Sequence, residues 1–299
     1  MRPCSPRCRW RFRSRSTPPT GWSSPASPPR GDADVLVWTR TGKAVLLTVF
    51  GLVVTVVFVA PIATVVAAGL AGRWTGPLPS RLGLANFRQT LSGEDAASLS
   101  VSLQTALLAG AFALVLGTWA ALAAREAPGW CRRITDAVFH LPVAVPSVAI
   151  GLGVLIAFNE RPLLLGGTKW IVVLAHSVLV LAYAFSAVSA ALDRLDPTFR
   201  QAAESLGAGP IRVLCQVTLP LLLPALGAAA GLSVALSMGE LGATIMIYPA
   251  TWRTLPVTIF GETDRGAVFL AAANTTLLVS VTLFALVLLG RLKGRAALR

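Results

Sequence analysis

Charged residues are scarce in this sequence. Only 13% of the 299 residues are Asp, Glu, Lys or Arg, whereas an ordinary soluble domain has about 25%. Hydrophobic residues make up 55% of the chain. Because so few polar side chains cannot cover the surface of a globule, the composition excludes an ordinary soluble protein.

Residue types that build metal and redox sites are also few. The two histidines, His140 and His176, have no second ligand at metal-binding spacing, and we interpret both as structural. The cysteines are too scattered to predict a disulfide framework, and we expect reduced thiols without a function. They are Cys4, Cys8, Cys131 and Cys215. No metal and no other cofactor is expected.

Catalytic motifs are missing as well. Gly42-Lys43 lacks both the upstream glycine and the following hydroxyl residue of a phosphate-binding loop, so the chain is not expected to hydrolyse ATP itself. Metalloprotease and nucleophile-elbow motifs and paired intramembrane aspartates are absent from the sequence. An enzyme embedded in the membrane therefore remains only as a weaker alternative.

Long apolar runs dominate what is present. Six stretches contain no Asp, Glu, Lys or Arg, and each exceeds the roughly 20 residues that cross a bilayer as a helix. The sequence therefore predicts an all-α, polytopic membrane protein with six transmembrane helices. The stretches are 44–72, 96–124, 137–159, 170–192, 213–239 and 266–290.

The formal net charge of +13 is concentrated near the N-terminus. Residues 1–43 are rich in Arg, Pro and Ser, which is typical of a disordered segment. Nucleic-acid binding is not expected, because these basic residues lie in no folded module. We also hypothesise that translation begins nearer residue 30. The run 44–72 is too long for a typical signal peptide, and we interpret it as an uncleaved signal anchor.

Basic residues also predict the orientation of the chain. Most Lys and Arg fall in the tail and in alternate connections, and the positive-inside rule places those segments in the cytosol. Both termini are then cytosolic. The expected location is the bacterial cell membrane, crossed several times.

The connection 193–220 is the longest predicted cytosolic loop between spans. Asp196-Pro197 is a good helix N-cap followed by proline at the first helical position, and Gly207 can end that helix in a left-handed conformation. A second helical stretch should begin at Gly209-Pro210 and meet the membrane at Leu219-Pro220. The sequence therefore predicts a short helix along the membrane face with a glycine hinge.

This loop resembles the cytosolic signature of the inner-membrane permeases of binding-protein-dependent ABC importers. That signature is Glu-Ala-Ala, three residues, Gly, nine residues, Ile, one residue, Leu-Pro. Here it reads Gln201-Ala202-Ala203, Gly207, Val217 and Leu219-Pro220, with every spacing kept. Gln201 replaces the glutamate and Val217 the isoleucine, and Glu204 is the candidate to replace the missing carboxylate.

The resemblance implies a type I ABC importer permease fold with a five-helix core over 96–292, to which the span 44–72 is an addition. It implies that the loop is a coupling helix for a separate ATPase dimer, and that a second permease chain, identical or related, completes the pathway. An external binding protein and membrane lipid are the other implied partners. The implied coupling residues are Gln201, Ala202, Ala203, Glu204, Gly207, Leu219 and Pro220.

An acidic residue, Glu240, follows the fifth apolar run. Ionisable groups at such depth are costly and are functional candidates by default. The surrounding sequence is similar to the Gly-Glu-Phe-Gly-Ala-Thr stretch of oxyanion and related permeases, which implies an element of the translocation pathway. A glutamate near the external membrane face, either hydrated or bonded within the bundle, is an equal alternative. The candidate pathway residues are Met238, Gly239, Glu240, Gly242 and Thr244.

Residues 238–266 are also the basis for a substrate hypothesis. Met-Gly-Glu-Leu-Gly-Ala-Thr at 238–244, Tyr248-Pro249, Thr254-Leu255-Pro256 and the Thr263–Gly266 stretch look like permeases assigned to 2-aminoethylphosphonate uptake. Iron(III), thiamine, sulfate and molybdate permeases are close alternatives. Within this region Trp252 is predicted to anchor a short interfacial helix.

Overall fold

The structure is a computed structural model that describes residues 40–76 and 78–296, with side chains described for 41–76 and 78–291. The hypotheses about a disordered tail and a later translation start concern residues 1–39, which lie outside the described residues. Contacts divide the chain into two units, with the boundary between Val57 and Phe58.

The first unit contains helix α1 (Arg40–Val54) and the start of a π-helical segment (Thr55–Val59). No residue of 41–57 is buried. Helix α1 begins before residue 44, which is the predicted start of the first span. Its first turn is polar and therefore was not part of the apolar run.

The second unit is almost entirely helical. It includes one short antiparallel hairpin of strands β1 (Ala71–Arg73) and β2 (Ser80–Leu82), in which Ala71 pairs with Leu82. Its helices are α2 (Ala60–Leu70), α3 (Ala85–Thr90), α4 (Gly93–Glu126), α5 (Gly129–Ala144), α6 (Ser147–Ala157), α7 (Lys169–Asp193), α8 (Pro197–Ser205), α9 (Pro210–Val213), α10 (Leu219–Met238), α11 (Gly242–Ile247), α12 (Leu255–Asp264) and α13 (Val268–Ala296), with a π-helical segment (Leu214–Thr218) between α9 and α10.

Five helical stretches in the described part of the chain are long and apolar enough to cross a membrane. The pair α5 and α6, which is bent by 106°, makes a sixth if it is counted as one span. The prediction of helical spans is therefore confirmed, and the predicted run 137–159 is divided between these two helices. The five stretches are Thr41–Leu70, Gly93–Glu126, Lys169–Asp193, Pro210–Met238 and Val268–Arg291.

Proline explains the bend. Val145, the residue directly after α5, has extended backbone angles (φ −105°, ψ 133°). The ring of the following Pro146 disfavours the helical conformation at the residue before it. Pro146 then directly precedes α6. The helix is broken at this one peptide and does not bend gradually.

The helical stretch from Pro210 to Met238 is continuous through Leu219-Pro220, where we expect it to meet the membrane. A proline ring normally clashes with the carbonyl four residues earlier, here that of Gln216. Gln216 lies in the π-helical segment Leu214–Thr218, whose wider turn accommodates the ring.

The core lies where α4 packs on α7 and α10. A Cβ atom built on Gly117 would lie 2.9 Å from the backbone nitrogen of Phe185. Glycine therefore allows α4 and α7 to approach closely, as in many membrane bundles. Phe185 is fully buried there beside Ala121 and Leu222.

Candidate functional site

Helix α8 occupies the predicted coupling loop with the predicted caps. The Asp196 carboxylate accepts a hydrogen bond of 2.9 Å from the backbone N–H of Thr198, and this bond lowers the pKa of Asp196. Pro197 is the first helical residue. Gly207 has a φ of +80°, the left-handed conformation that glycine adopts without strain. The predicted helix and both of its caps are therefore present, whereas its place along the membrane face and the hinge at Gly207 stay predictions.

Every residue of α8 is exposed except Ala203, which is half-buried. Three apolar side chains on and beside the helix face outward, with exposed fractions of 55% for Phe199, 88% for Leu206 and 76% for Ile211. Contiguous exposed apolar groups mark interaction surfaces. The loop thus presents a surface suited to a partner.

An ion-pair network connects α8 to the end of α4. Arg200 donates hydrogen bonds to Glu204 at 2.8 Å and to Glu126 at 2.6 Å, and these bonds raise the pKa of Arg200. Glu204, the candidate to replace the carboxylate missing at Gln201, is therefore paired within the chain.

A cavity of about 390 Å³ lies beneath α8. Its floor includes Leu192, Val213 and Leu221, while Glu126 and Arg200 stand on its wall. The network just described therefore joins α8 to α4 across this cavity. Helix α8 has no buried residue of its own, and the Arg200–Glu126 pair is one of its contacts with the bundle.

Glu240 lies in the break between α10 and α11. Its Oε1 atom accepts a hydrogen bond of 2.9 Å from the backbone N–H of Ala243, and its side chain is half-buried. The carboxylate is therefore bonded within the bundle, as one of the two alternatives expected. It also lines a cavity of about 200 Å³.

Residues at the break between α5 and α6 and at the break between α10 and α11 line this cavity. A Cβ atom on Gly151 would lie 2.6 Å from the carbonyl oxygen of Ala243, and one on Gly242 would collide with the hydroxyl of Ser147. Helices α6 and α11 are thus in backbone contact immediately after their breaks. Irregular backbone at membrane depth is tolerated where it is buried in protein or lines a cavity.

The other candidate pathway residues are arranged differently. Met238 and Thr244 are buried, with exposed fractions of 1% and 0%, and Gly239 is exposed. Of the five candidates, only Glu240 lines the cavity. Among the described residues, no group of three or more His, Cys, Asp or Glu could hold a metal ion.

Sequence reasoning missed the contacts of His176. Its Nδ1 atom lies 2.7 Å from the Ser237 hydroxyl and its Nε2 atom 2.7 Å from the Thr244 hydroxyl. These partners are far away in the sequence. The isolated histidine within an apolar run was therefore the only sequence signal for this buried cluster. The side chain is 1% exposed.

Hydrogen bonds to α4 hold the segment before α12. The indole N–H of Trp252 donates to the Thr105 hydroxyl at 3.0 Å, and the Leu255 N–H donates to the Ser102 hydroxyl at 2.7 Å. Trp252 therefore bonds to α4, and its role as an interfacial anchor stays a prediction. The first turn of α12 is buried.

A family model now identifies the chain. The model of the inner membrane component of binding-protein-dependent transport systems matches residues 113–296. The chain belongs to this family. It is an ABC importer permease and a multi-pass membrane protein, and the fold is that of type I importer permeases.

Two kinds of curated relatives are similar to this permease. A protein of Salmonella typhimurium, provisionally named the 2-aminoethylphosphonate transport system permease PhnV, is 44% identical over 261 residues, or 87% of this chain and 98% of the relative. The molybdenum transport system permease ModB of Escherichia coli is 34% identical over 176 residues, or 54% of this chain and 76% of the relative.

Solved transporters share the fold of this permease at low sequence identity. One is a chain of the bacterial alginate ABC transporter, which was crystallised with its alginate-bound periplasmic protein. Its TM-score is 0.67 at 16% identity, and the match covers 93% of that chain and 85% of this one. A chain of the inward-facing methionine transporter MetNI has a TM-score of 0.56 at 16% identity, covering 95% of that chain and 67% of this one.

Proposed function

We propose that this permease carries a phosphonate, such as 2-aminoethylphosphonate, from an external binding protein across the bacterial cell membrane. A separate ATPase dimer hydrolyses ATP. The chain itself is a transport subunit and not an enzyme. The observation that supports this choice of substrate is the 44% identity to PhnV over 87% of this chain.

In this proposal, α8 is the coupling helix that docks on the ATPase. The exposed surface around Phe199, Leu206 and Ile211 supports such a contact, and small side chains allow a partner to approach closely. Arg200 would transmit the motion of α8 to α4 through Glu126. The proposed coupling residues are Gln201, Ala202, Ala203, Glu204, Gly207, Leu219 and Pro220.

The translocation pathway is proposed to pass the break between α10 and α11. The half-buried Glu240 and the adjoining cavity support this assignment. Alternating access would move the helices beside the two breaks, α5–α6 and α10–α11, relative to their neighbours. A second permease chain, identical or related, would form the other wall. The proposed pathway residues are Met238, Gly239, Glu240, Gly242 and Thr244.

The proposed orientation places α8 and both termini in the cytosol. The distribution of basic residues supports it, because positive charge accumulates on the cytosolic side of membrane proteins. In the sequence, Arg125, Arg132 and Arg133 cluster at the connection between α4 and α5, on the same predicted side as α8.

Uptake by proteoliposomes tests the proposal. We expect ATP-driven accumulation of labelled 2-aminoethylphosphonate that requires the ATPase, the permease and the binding protein together. Vesicles without the binding protein are the control. Uptake of iron(III), thiamine or sulfate, with no uptake of the phosphonate, would overturn the substrate assignment.

Molybdate is the second candidate, because ModB is 34% identical over 54% of this chain. The same vesicles distinguish the two solutes when each is offered alone. ATP-driven uptake of molybdate without uptake of the phosphonate would favour this candidate.

A further inference from the structure

His176 joins the two helices on either side of the break between α10 and α11. Ser237 lies in the last turn of α10 and Thr244 in the first turn of α11, and both hydroxyls are 2.7 Å from the imidazole. The side chain is 1% exposed. A single buried ring from α7 therefore bridges the interruption Gly239–Leu241.

One tautomer of His176 satisfies all of these contacts. The Thr244 hydroxyl also lies 3.3 Å from the backbone carbonyl oxygen of Glu240, and a carbonyl can only accept. With Thr244 donating to Glu240, Nε2–H of a neutral His176 donates to Thr244 and the Ser237 hydroxyl donates to Nδ1. We call this chain of hydrogen bonds, from Ser237 through His176 and Thr244 to Glu240, the relay. Every proton in it has an acceptor.

The relay ends on the residue that faces the cavity. The backbone carbonyl of Glu240 is held by Thr244, and its carboxylate is held by the Ala243 N–H at 2.9 Å. Glu240 is the only Asp, Glu, Lys or Arg among the described residues that line this cavity, and His176 and Ser237 also line it. The position of that one charge therefore depends on the relay.

We propose that His176 is a positioning residue for translocation. It fixes the break so that the Glu240 carboxylate stays at the cavity while the neighbouring spans move. This inference rests on the proposed function, in which the break lines the pathway. The imidazole need not touch the solute, because its two ring nitrogens are occupied by Ser237 and Thr244.

A double-mutant cycle with Glu240 tests the proposal. We expect His176→Phe and Glu240→Gln each to lower the uptake rate about 10-fold, and the double variant to be no more than about 3-fold slower than the slower single variant, because coupled residues are not additive. His176→Gln, which can still donate and accept, should restore most uptake. Normal uptake by His176→Phe, or losses that multiply in the double variant, would overturn the proposal.

Thr244→Val replaces His176→Phe in the same cycle if the latter does not enter the membrane. Valine keeps the shape of threonine but removes the hydroxyl, and Thr244→Ser is its matched control. The same outcomes support or overturn the proposal, because the relay requires both His176 and Thr244.

A second measurement does not depend on transport. Glu240→Cys is introduced into a chain whose native cysteines are serine, and its reaction with a water-soluble maleimide is timed in detergent. His176→Phe should change that rate several-fold, whereas His176→Gln should not. An unchanged rate would overturn the positioning role. Absence of any uptake by the wild-type system would instead refute the proposed function.

Discussion

Gly151 of α6 lies directly against the backbone of Ala243 in α11. A Cβ atom at Gly151 would be 2.6 Å from the Ala243 carbonyl oxygen and 2.8 Å from its Cα. Both distances are shorter than van der Waals contact, and both neighbours are backbone atoms that cannot rotate away. The close contact between α6 and α11 therefore depends on a hydrogen atom at position 151.

Replacing Gly151 with alanine should destabilise the fold. Forcing an extra methyl group into a packed site costs about 1–3 kcal/mol, and thermal unfolding in detergent measures the loss. Gly153→Ala, in the same helix, is the matched control because a Cβ there has no atom within 4 Å. Equal stability of the two variants would contradict the observed packing.

Ser102→Ala should also lower stability. The Ser102 hydroxyl is the acceptor for the buried N–H of Leu255, and an unsatisfied buried donor costs about 1–3 kcal/mol. The matched control is Ser100→Ala, since Ser100 is exposed on the same helix. Equal unfolding midpoints of the two variants would show that Ser102 does not hold the α12 segment.

Arg200→Gln is expected to lower the transport rate without lowering the stability of the fold. Exposed ion pairs contribute only about 0–1 kcal/mol to folding, so thermal unfolding should scarcely change. ATP-driven uptake should fall severalfold because α8 loses its connection to Glu126. Arg212→Gln, in α9, is the control. Full uptake by the Arg200 variant would exclude this route of coupling.

Gly207 should be sensitive because of its backbone conformation and not because of crowding. A side chain there meets no atom within 4 Å, but the φ of +80° is strained for any other residue, at about 1–2 kcal/mol. Gly207→Ala, and more strongly Gly207→Val, should lower solute uptake per ATP hydrolysed without preventing membrane insertion. Gly209→Ala should have little effect, because Gly209 has a φ of −70°. Unchanged uptake by Gly207→Val would argue against a hinge at this position.

Local chemistry explains what the sequence could predict. Proline and aspartate at a helix start and glycine at a helix end have strong conformational preferences, so α8 was predicted from Asp196, Pro197 and Gly207 alone. The apolar runs likewise predicted the spans, because the thickness of the bilayer sets their length.

Long-range geometry explains what the sequence could not predict. Pro146 explains why the run 137–159 breaks, but nothing in the local sequence gives the 106° angle between α5 and α6. His176 contacts residues 61 and 68 positions away. Nothing in the local sequence indicates which hydroxyls it meets. The π-helical turn before Pro220 was also missed, because proline usually marks a helix start.

Crosslinking from Ala203 tests the central claim, which is that α8 couples this permease to an ATPase. A photoactivated amino acid placed at Ala203, the half-buried residue of α8, should capture the ATPase subunit in membranes that contain the whole transporter. The same group at Phe284, which is 69% exposed on α13, should not. Capture of the ATPase from neither position, in a transporter that still takes up its solute, would contradict the account.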